Sequence, residues 1–177
     1  MSTAVNIFLV GPMGAGKTTV GKRLAETRGM EFIDSDNEIE VRTGVDIPLI
    51  FEKEGEEGFR RREKLVIAEL AQRSHVVLAT GGGAVLDPES RQWLAARGMV
   101  VYLYASVDQQ LQRTARTDHR PLLQNVPDRR QTLQQLFDVR DPLYREIADL
   151  IVHTDGRNAR VLAREIEDHI DRPATAL

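Results

Sequence analysis

Two runs in this chain, Val76-Val-Leu-Ala79 and Met99-Val-Val-Tyr-Leu-Tyr104, are apolar at every position instead of at every second one. A strand with one wet face alternates. Strands that do not alternate are covered on both faces, which happens when helices pack on either side of a parallel sheet.

Five β-rich segments fit this reading: Val5–Val10, Glu31–Asp34, Val76–Thr80, Met99–Tyr104 and Asp149–His153, with helix-forming stretches between them. The alternation predicts an α/β protein with a parallel sheet and right-handed crossovers. Period and end signals place the helices. Ala15–Arg28 stops at Gly29, and Glu56–Arg73 gathers Phe59, Val66, Leu70 and Ala71 near one face. Asp87-Pro88 is an N-cap followed by proline at the first helical position, opening a helix that ends near Gly98, and Asn158–Ile170 comes last. A length of 177 residues, 41% of them hydrophobic, suits one domain, assigned to residues 1–171 with a frayed tail over 172–177.

The rest of the composition works by exclusion. With 24 basic and 27 acidic residues the net charge is −3, so neither nucleic acid nor an anionic membrane surface is an expected partner. Cysteine is absent, which removes disulfides, thiol nucleophiles and Cys-ligated metal sites. His75, His119, His153 and His169 are too dispersed for a local metal motif. The longest apolar run, Met99–Ala105, is seven residues, against the ~20 that span a bilayer. No positive region precedes Ile7–Val10, which runs directly into a glycine motif, so the expectation is a cytoplasmic protein.

That motif, Gly11-Pro-Met-Gly-Ala-Gly-Lys-Thr18, fits G-x-x-x-x-G-K-[ST] and lies between the first candidate strand and a helix. This is the P-loop pattern. Gly11, Gly14 and Gly16 allow consecutive N–H groups to face a phosphate, and the helix N-terminus adds a favourable field. Lys17 is placed to bridge the β- and γ-phosphates and the Thr18 hydroxyl to ligate magnesium. The pattern implies a nucleoside triphosphate and magnesium without naming the acceptor.

Other residues supply candidates for the acceptor. Asp34 and Asp36 end the second candidate strand, and residues two apart in extended backbone point the same way, so both can face a crevice beyond the strand tips. One would support the magnesium shell and the other take a hydroxyl proton; a turn or helix cap is the plainer reading. Arg60 and Glu63 are three apart, so Glu63 can hold Arg60 in a fixed pose on a helix. Gly81-Gly82-Gly83 follows the third strand and permits close approach of backbone to a ligand. The segment 113–127 carries Arg113, Arg116 and Arg120 and reads as a lid over phosphates or as an exposed charged loop. Arg140 falls on an apolar stripe of Leu133, Leu136, Phe137, Tyr144 and Ile147, where a charge needs an internal acid such as Glu63 or an anionic ligand. Pro142 is expected to break this helix near Asp141.

Taken in order, Gly11–Thr18, Asp34-x-Asp36, Phe59-Arg60-x-x-Glu63, Gly81–Gly83, Arg120-Pro-Leu-Leu123 and Arg140-x-Pro142-x-Tyr144 resemble the shikimate kinase family over roughly residues 5–170. The resemblance implies a nucleoside-monophosphate-kinase-like fold, a three-layer arrangement with a five-stranded parallel sheet ordered 2-3-1-4-5 and a lid. It implies transfer of a phosphoryl group from ATP, with magnesium, to shikimate in aromatic amino-acid biosynthesis, by a protein expected to act as a monomer. It carries ATP binding to Gly14, Ala15, Gly16, Lys17, Thr18, Thr19, Arg113, Arg120 and Arg157, with Arg113 on adenine. Lys17, Asp36 and Arg120 become catalytic, with Asp36 as base. Asp36, Arg60, Gly81, Gly82, Gly83 and Arg140 bind the acid, and Thr18 and Asp34 hold the metal. One departure is that His153–Ala159 has Arg157 but lacks the proline that usually accompanies it in the family.

Two alternatives stay open at this stage. A gluconate kinase of similar fold also binds a hydroxylated acid. A non-catalytic nucleotide-binding homologue would keep the fold, although Lys17, Asp36 and Arg120 are all present here.

Overall fold

The computed structural model describes residues 5–116 and 120–172, so His119, the middle of the expected lid and all but the first residue of the expected tail lie outside the described residues. Strands β1 (Asn6–Val10), β2 (Glu31–Asp34), β3 (Val76–Ala79), β4 (Gly98–Tyr104) and β5 (Leu150–His153) match the expected segments to within one residue at each end. They form one sheet in the order β2-β3-β1-β4-β5, parallel throughout.

The helices are α1 (Lys17–Arg28), α2 (Ser35–Thr43), α3 (Ile47–Leu70), α4 (Pro88–Arg97), α5 (Val107–Thr114), α6 (Arg129–Ile147) and α7 (Ala159–Asp171). The non-alternating strands are explained by cover on both faces. Phe8, Val10, Leu78, Val100 and Tyr102 pack toward α2, α3, α4 and α6, whereas Ile7, Leu9, Val77, Val101 and Leu103 pack toward α1 and α7. Successive strand residues thus feed opposite cores, and each core demands an apolar side chain. Side-chain caps start most helices, with Asp46, Asp87, Ser106, Asp128 and Asn158 each accepting a backbone N–H. Such a cap contributes about 0.5–2 kcal/mol.

Three expectations change. Helix α1 starts at Lys17, not Ala15, because Gly16 caps it in the left-handed conformation at φ 89°. The helix expected over 56–73 is preceded by an arm from Ile47, and the two pieces of α3 meet at Gly55, whose φ of 72° is not helical. That glycine explains why the sequence pattern shows only the second piece. Helix α6 does not break near Asp141 but runs through Pro142. Proline removes one N–H and crowds the preceding turn, but Pro142 and Asp138, whose carbonyl loses its partner, are both exposed, so water can take that acceptor. The stripe therefore keeps its phase, and Arg140, Tyr144 and Ile147 are all buried.

Candidate active site

A cleft opens beyond the carboxyl ends of the strands, where β1 feeds the P-loop and the neighbouring β3 feeds Gly81–Gly83. Its larger lobe, about 1130 Å³, is lined by Gly14–Thr19, Asp34, Arg113, Arg120 and Arg157. A smaller recess shares Asp36, Gly81, Gly82 and Arg120 with that lobe, and Arg60, Glu63, Gly83 and Arg140 complete it. The residues assigned to nucleotide thus line one lobe, and those assigned to the acid line the adjoining recess.

In the P-loop, Gly11, Gly14 and Gly16 have φ of 146°, 80° and 89°, conformations that side-chain-bearing residues rarely adopt. A Cβ at Gly11 would also strike the Leu103 carbonyl of β4, so the loop needs that glycine for its seat on the sheet. Lys17 Nζ donates to the Gly11 and Pro12 carbonyls at 2.6 and 2.8 Å, lying back along the loop. Burial and the nearby Arg120 lower its pKa to about 7, against the opposing pull of Asp36 and Asp34. Arg113 Nη1 donates to the Gly14 carbonyl at 2.9 Å, which ties α5 to the loop. Arg157 donates to the His153 carbonyl and pairs with Glu165. Of the expected lid, Pro121–Leu123 forms a short 3₁₀ turn whose Leu123 is buried against Met13 and Leu133, so this arm is anchored to the P-loop.

The two aspartates are not neighbours on a strand, as extended backbone would have made them, because the chain turns into α2 at Ser35. Asp34 is the N-cap of α2, its Oδ1 accepting the Asp36 and Asn37 amides at 3.0 and 3.2 Å, and Asp36 already lies in the first helical turn. Both still line the cleft. Asp34 Oδ2 accepts the Thr18 hydroxyl at 2.9 Å. These are two hard oxygen donors beside the phosphate loop, and magnesium commonly takes one or two protein oxygens and fills its remaining positions with phosphate and water. The donor set fits that ion.

Asp36 turns into the recess. Its Oδ1 is buried without a hydrogen-bond partner, as are Glu63 Oε2 and Arg60 Nε. Burial, then Glu63 and Asp34, raise the Asp36 pKa to about 7, opposed by Lys17 and Arg120. Glu63 is also pushed up by burial, while Arg60 pulls it down through a 2.7 Å bond to Oε1. The glycine triplet fits between these groups. A Cβ on Gly81 would come within 2.6 Å of Asp36 and 2.8 Å of Glu63, and one on Gly83 would strike the Arg60 guanidinium. The Gly81 amide is already engaged, donating to Ser35 Oγ at 3.0 Å. Arg140 is 5% exposed; it makes no ion pair within 4 Å among the described residues, and its charge acts on Glu63 from further off, so the internal acid and an anionic ligand both remain readings of its place on the stripe.

Sequence reasoning missed Ser35 as the support of Gly81 and Tyr144 as a partner of the Gly82 carbonyl. Spacing could not show either pair, which lie 46 and 62 residues apart. The Arg-x-Pro-x-Tyr pattern did contain Tyr144, though only as an apolar position.

The family model described as shikimate kinase matches residues 13–171. A shikimate kinase of Histophilus somni (strain 2336) is 56% identical over 171 residues, covering 97% of this chain and 98% of that protein. A solved shikimate kinase of Acinetobacter baumannii, in complex with shikimate, superposes with a TM-score of 0.93 at 57% identity, over 95% of this chain and 93% of that one. A gluconokinase of Sinorhizobium meliloti 1021 is similar at a TM-score of 0.59 and 20% identity, over 93% of this chain and 90% of that one, a likeness of fold alone. With a family match over nearly the whole chain and relatives above half identity, the chain belongs to the shikimate kinase family.

Proposed function

We propose that this site transfers the γ-phosphoryl group of ATP to the 3-hydroxyl of shikimate, giving shikimate 3-phosphate and ADP. The observation that carries the reading is the recess itself: a half-buried carboxylate, Asp36, with its Oδ1 buried, stands beside the P-loop lobe, with the guanidinium groups of Arg60 and Arg140 in the same walls. Those three groups suit an acceptor with a hydroxyl at one end and a carboxylate at the other. The relatives named above support shikimate over gluconate.

In this mechanism Asp36 accepts the hydroxyl proton as the oxygen attacks the γ-phosphorus and the bond to the ADP oxygen breaks. A base titrating near 7 is ionised in a large share of molecules at neutral pH and still basic enough to take the proton. Lys17 leaves the loop carbonyls for the phosphates, and Arg120 meets charge on the transferring group. Thr18 and Asp34 would hold magnesium, which when bound neutralises phosphate charge. Arg60 and Arg140 grip the acid through paired N–H donors, with the backbone of Gly81–Gly83 closing the recess. Gly14–Thr19, Arg113 and Arg157 hold the nucleotide. The unit spans residues 1–171 with a lid over about 113–127, and acts as a cytoplasmic monomer. No helix among the described residues is long and apolar enough to cross a membrane.

The test is ADP release with ATP and magnesium over shikimate, gluconate and nucleoside monophosphates. Turnover confined to shikimate is expected. Equal turnover of gluconate would replace the assignment, and tight ATP binding without turnover of any acceptor would leave a nucleotide-binding homologue.

A further inference from the structure

We propose that Tyr144 is a positioning residue for the acceptor acid, its hydroxyl setting the Arg140 guanidinium and the Gly82–Gly83 peptide in register with each other. This rests on the reading above that Arg140 binds the carboxylate. Residues 140 and 144 are four apart on α6, hence stacked on one helix face, and both are buried there. The Tyr144 hydroxyl donates to the Gly82 carbonyl. Arg140 stands beside that same hydroxyl, and its Nη1 would lie 3.4 Å from a Cβ on Gly82. The phenol thus bonds the glycine turn and lies close to Arg140, the two parts of the proposed acid-binding wall.

The phenol is suited to this task. Burial pushes its ionisation far above neutrality, so the proton stays on and the group remains a donor to Gly82. Its ring is held by Tyr102, at 4.9 Å between centroids, and the Tyr102 hydroxyl is fixed in turn by Asp141 at 2.7 Å. In a trans peptide the N–H points opposite to the C=O. Anchoring the Gly82 carbonyl toward α6 thus turns the Gly83 N–H away from α6, and neither the Gly82 nor the Gly83 amide has a backbone partner among the described residues. Among the described residues Arg140 makes no ion pair within 4 Å, and it packs beside Tyr144 and the glycine turn while its charge acts on Glu63 from further off.

The experiment measures kcat and KM of wild type, Y144F and R140A with shikimate and with its neutral carboxamide. Y144F keeps the ring and removes the hydroxyl. The expected result is a KM for shikimate raised about tenfold, the loss of one hydrogen bond's worth of discrimination, with kcat and the KM for ATP little changed and no further penalty on the carboxamide. Tyr144→4-aminophenylalanine, which keeps a donor at the same place, should restore the shikimate KM, and it serves as the informative variant where Y144F does not fold. An unchanged shikimate KM in Y144F, equal losses on shikimate and carboxamide, or failure of the amino variant to restore KM would each overturn the role. If R140A loses both substrates equally, the carboxylate assignment itself falls and takes this proposal with it. If R140A discriminates and Y144F does not, only the tyrosine's role is lost.

Discussion

The two lobes of the cleft differ in how fully the protein pairs their polar groups. On the nucleotide side the polar groups are engaged: Lys17 lies on two carbonyls, Thr18 on Asp34, Asp34 on two amides and Arg113 on Gly14. On the acceptor side, Asp36 Oδ1, Glu63 Oε2 and Arg60 Nε are all buried and unpartnered. A buried polar atom without a partner costs about 1–3 kcal/mol. On the proposed function, the nucleotide lobe exchanges internal bonds for phosphate contacts, whereas the unpartnered groups of the recess gain partners from the acceptor. That reading predicts selectivity, because a molecule lacking a matching hydroxyl or carboxylate would leave those groups unsatisfied.

The comparison assigns different kinetic signatures to the two sides. The largest effect is expected where they meet, at Arg120, which lines both lobes. Arg120→Ala should lower kcat by ~10³–10⁵, as for an arginine meeting charge on a transferring phosphoryl group, with the shikimate KM little moved. Steady-state kinetics showing only a raised KM for ATP would return Arg120 to the nucleotide side. Asp36→Asn comes next, with kcat down ~10²–10⁴ for loss of a general base and ATP affinity nearly intact by titration. Wild-type turnover in that variant would end the base assignment.

The same substitution has a second readout. Folding raises the Asp36 pKa from 3.8 to about 7, so between those values the folded state holds a proton that the unfolded state releases. Stability contributed by this group therefore falls as pH rises through that window and is flat above it. Asp36→Asn removes the penalty. At pH 8 the variant should be more stable than wild type by on the order of 1–3 kcal/mol, the part due to ionisation vanishing below about pH 4. Denaturant melts at the two pH values check it; a less stable variant at pH 8 would mean that Asp36 is not held against its ionisation.

Gly83→Ala sharpens the boundary between lobes. Its Cβ would push into the Arg60 guanidinium, so kcat/KM for shikimate should fall about 10–100-fold, the worth of a bond to a charged group, while the KM for ATP holds. A matching rise in the KM for ATP would show that the lobes are not separable. The smallest effect expected is a displacement along the pH axis. With Asp36 as the proposed base and its pKa raised to about 7, kcat/KM for shikimate should drop on the acid side, where the carboxyl is protonated. Glu63 raises the Asp36 pKa by like charge, so Glu63→Gln should move that acid limb to lower pH. A limb that stays in place would detach Glu63 from the base.

How far each side was legible in the sequence follows the same division. The P-loop, β1 and the start of α1 are contiguous, so glycines, lysine and threonine at fixed spacing describe the phosphate loop, while Asp34, Arg113 and Arg157 join the same lobe from elsewhere in the chain. The recess draws on β2–α2, α3, the turn after β3 and α6. Residue types there suggested roles, but the Asp34–Asp36 argument reached the right cleft by the wrong local geometry, since Asp36 is helical. Arg140 showed itself by falling on an apolar stripe, and α6 kept that phase because the bond lost at Pro142 is on the exposed side.

The amino-acid sequence by itself determined the strands, both ends of α4 and α7, the end of α1 and the phosphate loop. These depend on periodicity, capping and backbone freedom within a few residues, all of which are local. The tertiary structure alone decided which oxygen and nitrogen atoms are stranded in the recess, how the glycine triplet is shared among Asp36, Glu63 and Arg60, and why Asp36 and Lys17 both titrate near 7. Desolvation and charge–charge interaction act through space and fall with distance. They have no value until the chain has brought residues such as Ser35 and Gly81, or Tyr144 and Gly82, within a hydrogen bond of one another.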